Sequence, residues 1–196
     1  MGRPFNVSLL DDQQDLDNSV NNNQGVETSE TPTVIDGEKA SNFTSSLVLS
    51  VFPVLGKSTY SKEHEDSVDL ESSLYSRKQD NSFNEEFPGN YINLLKWHLV
   101  NNNWKYVFVS SHKVVRDAMK NDGIKFYVIY PSVDRKDEIL NLARERGNTE
   151  EFINKLSECW EAWINEVSQE ENAYELKAGE FISDDVFKEK LKFLVR

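Results

Sequence analysis

Residues 46–59 read SLVLSVFPVLGKST, and this stretch decides the fold. An apolar run over 47–52 ends at Pro53 and gives way to Gly56-Lys57-Ser58-Thr59. A short, β-branched apolar run bounded by proline predicts a buried strand, and the residues after Gly56 predict a helix. Strand, loop and helix with Gly-Lys-Ser at the junction read as the second half of a P-loop. In that device backbone N–H groups wrap phosphates, the lysine reaches the β- and γ-phosphates, and the Ser/Thr hydroxyl ligates Mg²⁺. The consensus G-x-x-x-x-G-K-[ST] asks for glycine where this chain has Val51, and the loop centre holds Val54 and Leu55. Val54 is β-branched, so a left-handed backbone there is costly. Either the loop is reshaped or phosphate affinity is reduced. The plainer alternative is an ordinary strand–turn–helix with a surface lysine.

Around this motif the composition narrows the function. The 196 residues suffice for one ordinary domain and a tail. With 22 basic and 34 acidic residues, the net charge of −12 argues against nucleic acid as a partner, since phosphate backbones need a concentrated positive surface. The single cysteine, Cys159, excludes an intramolecular disulfide and fits a reducing compartment. No apolar run approaches the ~18 residues of a membrane span, and the N-terminus carries no signal-peptide core. Asn6 stands where a myristoylation signal needs Ser or Thr. These features predict a soluble, cytoplasmic protein with no membrane partner.

Residues 1–44 form an acidic, polar leader with two basic and eight acidic residues, and all four tryptophans follow it. Such a segment buries too little apolar surface to offset its chain entropy, so it is expected to be disordered or loosely docked. It is either a solvated leader or a partner-binding tail using Phe5, Val7, Leu9 and Leu10.

From residue 45 to 196 strands alternate with helices. Strands are expected over 47–52, 67–70, 106–110 and 126–130. Helices are expected over 57–65, from Pro88 to about 102, from a Ser111 cap to 120, from Ser132 or Asp134 to 146, from Thr149, and from 183 or 184 to 194. Residues 75–88 read as a loop. Phe152, Leu156, Trp160 and Trp163 or Val167 recur at helical spacing as a core stripe. Near-continuous apolar strands separated by helices predict a parallel sheet covered on both faces, with ligands at the carboxyl ends of the strands. Those ends, 53–57, 69–73, 110–112 and 130–132, are expected to meet around one crevice.

Each cluster carries possible chemistry and a plainer reading. Asp69 and Glu71 flank Leu70, so in extended chain both point to one side. Beside a P-loop such carboxylates bind Mg²⁺, orient an acceptor hydroxyl or take its proton; otherwise they are solvated strand-end acids. Ser110, Ser111, His112, Lys113 and Arg116 form either a second phosphate site or a helix cap with a basic face. Arg135, Lys136, Arg144 and Arg146 could clamp a phosphoryl group, or belong to an exposed helix where they alternate with Asp137, Glu138 and Glu145. The three histidines show no metal spacing.

Taken jointly, the segments 52–58, 68–73, 87–91, 107–116, 130–138 and 144–148 resemble a family of small, often phage-encoded, nucleotide- or nucleoside-kinase-like P-loop proteins. More distantly the chain resembles the adenylate-kinase and shikimate-kinase architecture. The resemblance covers about residues 46–168. It implies a three-layer P-loop NTPase-like α/β domain with a five-stranded parallel sheet, an acceptor region after the second strand and an arginine-bearing lid after the fourth. It implies an ATP- and Mg²⁺-dependent phosphotransferase acting on a nucleoside or nucleotide. The residues carried over are Pro53, Val54, Leu55, Gly56, Lys57, Ser58 and Thr59 for phosphate, and Ser58 and Asp69 for Mg²⁺. Asp69 and Glu71 fall near the acceptor, and Arg116, Arg135, Arg144 and Arg146 near phosphates. The chain departs from the family in Val54-Leu55, where relatives look more like Gly-Val, and in its acidic leader. These departures keep a second expectation open: a catalytically silent binding, regulatory or virion-associated protein whose leader engages a partner. A triphosphate hydrolase without an acceptor is a third.

Overall fold

The computed structural model describes residues 46–101 and 104–190. The leader over 1–44 lies outside them, as does the end of the last expected helix.

Five parallel strands form one sheet in the order β2-β3-β1-β4-β5. They are β1 (Leu47–Val51), β2 (Ser67–Asp69), β3 (Tyr106–Ser110), β4 (Tyr127–Pro131) and β5 (Ala173–Leu176). β1 pairs with β3 from Leu47↔Tyr106 to Val51↔Ser110, and with β4 on its other side. Every residue of β3 is buried, as are four of five in β1 and β4. Consecutive strand residues point to opposite faces, so both faces are covered, as the continuous apolar runs predict. The edge strands β2 and β5 are short and half-buried. β5 escapes a residue-by-residue reading because its four residues, AYEL, bury only Leu176.

The connections are helical: α1 (Lys57–Glu63), α2 (Ser73–Ser76), α3 (Gly89–Asn101), α4 (Lys113–Asn121), α5 (Lys136–Glu145), α6 (Glu150–Ser168) and α7 (Asp184–Lys190). The expected loop over 75–88 begins inside α2 and contains a bridge between Arg77 and Phe83. Two caps differ in kind. Thr149 caps α6 as expected, its side chain accepting from the Phe152 N–H at 3.3 Å. Ser111 does not cap α4: His112 takes that position without a side-chain bond, and the Ser111 carbonyl accepts from the Arg116 guanidinium.

The α6 stripe is the principal buttress. Phe152, Leu156, Trp160, Trp163 and Val167 are all buried. Each such side chain contributes about 1.5–3 kcal/mol through burial. Trp160 packs edge-on to Phe52 at 5.6 Å and donates its indole N–H to the Val133 carbonyl at 2.7 Å. It thereby joins α6 to the end of β1, where the loop begins. Truncating it to alanine would cost about 3–5 kcal/mol.

Candidate functional site

The loop after β1 keeps the left-handed geometry that the sequence made doubtful. Val54 has φ 68° and Gly56 φ 96°, and Gly56 caps α1. Leu55 between them is fully buried, and its carbonyl accepts from the Ile182 N–H at 3.0 Å. Its side chain and its bond to the C-terminal segment hold Val54 in a conformation that costs about 1–2 kcal/mol.

A crevice opens over this loop, lined by Val51, residues 53–58, Glu71, Ser110, Ser111, Arg146, Asn148 and Phe152. Three of the four expected strand ends thus converge. The fourth, over 130–132, does not line the crevice. It is covered by the chain leaving β5: the Ser132 N–H donates to the Leu176 carbonyl, and Arg135 binds the Glu180 carbonyl. The turn between α5 and α6 takes its place through Arg146 and Asn148, with Phe152 from the first turn of α6.

Within the crevice the Lys57 ammonium lies 3.5 Å from the Val51 carbonyl oxygen, a long contact that an anion could replace at little cost. Ser58 Oγ donates to Asp69 Oδ2 at 2.7 Å. Asp69 Oδ1 is buried without a hydrogen-bond partner. Such an atom is costly unless something else meets it, which a cation or its water would do. Among the described residues no group of three or more His, Cys, Asp or Glu side chains could hold a metal. Mg²⁺ at phosphate sites asks for less: one or two protein oxygens, substrate phosphates and retained water. Ser58 and Asp69 fit that requirement.

Glu71 stands on the wall itself, its Oε1 accepting from Ser73 Oγ at 3.2 Å. The ends of β2 and β3 are fastened by Tyr91, which is fully buried. Its hydroxyl donates to the Leu70 carbonyl at 2.6 Å and accepts from the Ser110 N–H at 3.2 Å. Tyr91 reads in sequence as simple core, yet it sets the spacing between Glu71 and Ser110. Phe152 likewise reads as core stripe and is also crevice wall.

The arginines divide. Arg146 alone among the four expected ones lines the crevice. Arg116 is buried, and its guanidinium binds Glu166, Glu170 (3.0 Å) and the Ser111 carbonyl. Arg135 is buried too, binding Glu138 at 2.7 and 2.9 Å and the Glu180 carbonyl at 2.8 Å, with Phe181 across its plane at 5.0 Å. Both guanidinium groups are therefore engaged within the fold, and neither residue lines the crevice where the phosphates were expected. Arg144 is exposed and bound to Asn141, and Thr59 is exposed outside the crevice lining. No helix among the described residues is long and apolar enough to cross a membrane. No protein-family model matches this chain, and no curated protein matches it in sequence.

Proposed function

We propose that this crevice takes the phosphates of ATP with Mg²⁺ and passes the γ-phosphoryl group to a small acceptor, as a P-loop phosphotransferase of nucleotide-kinase type. One observation carries the reading: a loop with φ > 0 at Val54 and Gly56 leads into α1, whose first residues place Lys57 in the crevice and Ser58 on Asp69. Successive backbone N–H groups in such a turn make an anion-binding concavity. Lys57 supplies the charge that meets the β- and γ-phosphates. Mg²⁺, held by Ser58 and Asp69, would offset charge on the phosphates. Catalysis is then chiefly positioning and charge neutralisation.

Calorimetry with ATP and Mg²⁺ tests this. Binding should be measurable in the wild type, and Lys57→Ala should weaken it by about 30- to 150-fold, the loss of a charged hydrogen bond worth about 2–3 kcal/mol. A folded wild type that binds no ATP refutes the reading.

Val54 favours a second reading, a silent loop in a binding or regulatory protein whose leader engages a partner. Its signature is a wild type that binds no nucleotide and a Val54→Gly variant that does.

A further inference from the structure

α3 leaves two large apolar side chains exposed on one stripe. Trp97 and Val100 stand three positions apart on the helix, which makes them surface neighbours, and they are 38% and 60% exposed. Leu94, three residues before Trp97, lies half-buried beside them. Apolar side chains scattered singly over a surface need no explanation. These lie together, and they lie where the chain enters the fold.

The entry point is fixed by printed bonds of the backbone and its first side chain. Ser46 Oγ donates to the Trp104 carbonyl at 2.5 Å, and the Leu47 N–H donates to the Lys105 carbonyl at 2.9 Å. The Trp104 indole N–H donates to His98 Nδ1 at 3.1 Å, and the His98 ring lies 5.0 Å from that of Trp97. Three contacts thus lead from Ser46 to the exposed stripe.

The size of the face selects its occupant. A stable dimer buries about 800 Å² on each partner, far more than two partly exposed side chains supply. A segment of the same chain needs much less. A short tether holds it at an effective concentration of about a millimolar, at which even a weak contact is half formed. The leader carries apolar residues within reach. Phe43 precedes Ser46 by three residues, about 10 Å of extended chain, and Val34 and Ile35 lie within about 40 Å.

We infer that residues 34–43 of the leader dock on the outer face of α3, with Phe43 and the Val34–Ile35 pair covering Trp97 and Val100. This contact sits at the amino ends of β1 and β3, whereas the crevice opens at their carboxyl ends. The inference therefore stands apart from the phosphotransferase reading and does not require that ATP bind.

Two reciprocal measurements on the full chain test it. Lys39 lies inside the docking segment, and the leader's other basic residue, Arg3, precedes a proline that blocks trypsin. Val100→Asp, at an exposed position, should quicken tryptic cleavage after Lys39 by about twofold or more, since a contact formed at least half of the time shields the bond for that share. Changing the other side of the contact should expose the tryptophan. Val34→Ser, Ile35→Ser and Phe43→Ser together should raise acrylamide quenching of Trp97 by a similar factor, with the Trp97 signal identified as the fluorescence lost in Trp97→Phe. If either readout stays at its wild-type value, the inference is overturned. Protection that weakens on dilution, or a doubled mass by light scattering, gives the face to a second copy and overturns it as well.

Discussion

Val54 and Gly56 share a left-handed backbone but carry it differently. At Gly56 that geometry comes without steric penalty, and an added Cβ would meet Ile182 no closer than 3.9 Å. Gly56→Ala should therefore cost about 1–2 kcal/mol from the backbone alone, with no clash to relieve. Val54→Gly acts in the opposite direction. It relieves strain of similar size, offset by up to about 1 kcal/mol of extra chain entropy and by the lost packing of a half-buried side chain. The expected net effect is a stabilisation of no more than about 1 kcal/mol. Chemical denaturation of the two variants reads both signs, and a Val54→Gly variant less stable than wild type would show that the side chain's packing outweighs the strain.

The helices and strand ends hold the loop from behind. The segment after β5 reaches the loop through the Ile182 N–H on the Leu55 carbonyl. α7 then fastens to α1: the Tyr60 hydroxyl donates to Asp184 at 2.8 Å, and His64 lies 3.5 Å from the same carboxylate. Burial, aided by that bond to Asp184, pushes the Tyr60 hydroxyl far above its ordinary range, so it remains a donor. Phe187 adds an aromatic contact to Tyr60 at 5.1 Å. Arg135 fixes the start of this strap at Glu180 and Phe181. Arg135→Met should cost about 2 kcal/mol or more, since it removes charged hydrogen bonds and leaves a carbonyl without its donor. If the strap supports the loop, hydrogen exchange at the Ile182 amide should quicken in the same variant, although Arg135 does not line the crevice. Unchanged exchange would separate the strap from the loop.

Across the whole molecule the groups shifted from values at or below 6.5 push stability one way. Burial holds the His98 imidazole below its ordinary value of 6.5. The Trp104 indole N–H, which can only donate, points at His98 Nδ1 at 3.1 Å and so asks for an unprotonated nitrogen there. The hydrogen bond from Arg135 holds Glu138 below its ordinary 4.5. Burial would raise Glu170, but hydrogen bonds from Lys120 and Arg116 outweigh it and leave this carboxyl low as well. In each case the unfolded chain binds more protons than the folded one between the two values, so stability rises with pH there. Stability should be level between about pH 7 and 9, fall first as pH drops below about 6.5, and fall again below about 4.5. Denaturation midpoints across that range check the sequence of losses, and His98→Asn should flatten the first step while leaving the second.

The same long-range pairing marks what could be read in advance. The strand–loop–helix at 46–59, the Thr149 cap and the apolar periods of β1, β3, β4 and α6 were legible because each depends on residues a few positions apart. The convergence of the loop, Glu71 and Ser110–Ser111 followed from strand ends in a parallel sheet. The short edge strand β5 was not legible residue by residue, because it exists only by pairing with β4. Arg116, Arg135 and Arg146 were indistinguishable as charges in sequence. Arg116 meets Glu170 54 positions away, and Arg135 meets the Glu180 carbonyl 45 positions away. The sequence by itself determined the order of elements and the loop that could hold a phosphate, since those are local properties of the chain. Only the tertiary structure decided which cations are committed to the fold and which face the crevice, because a buried charge is settled by its distant partner.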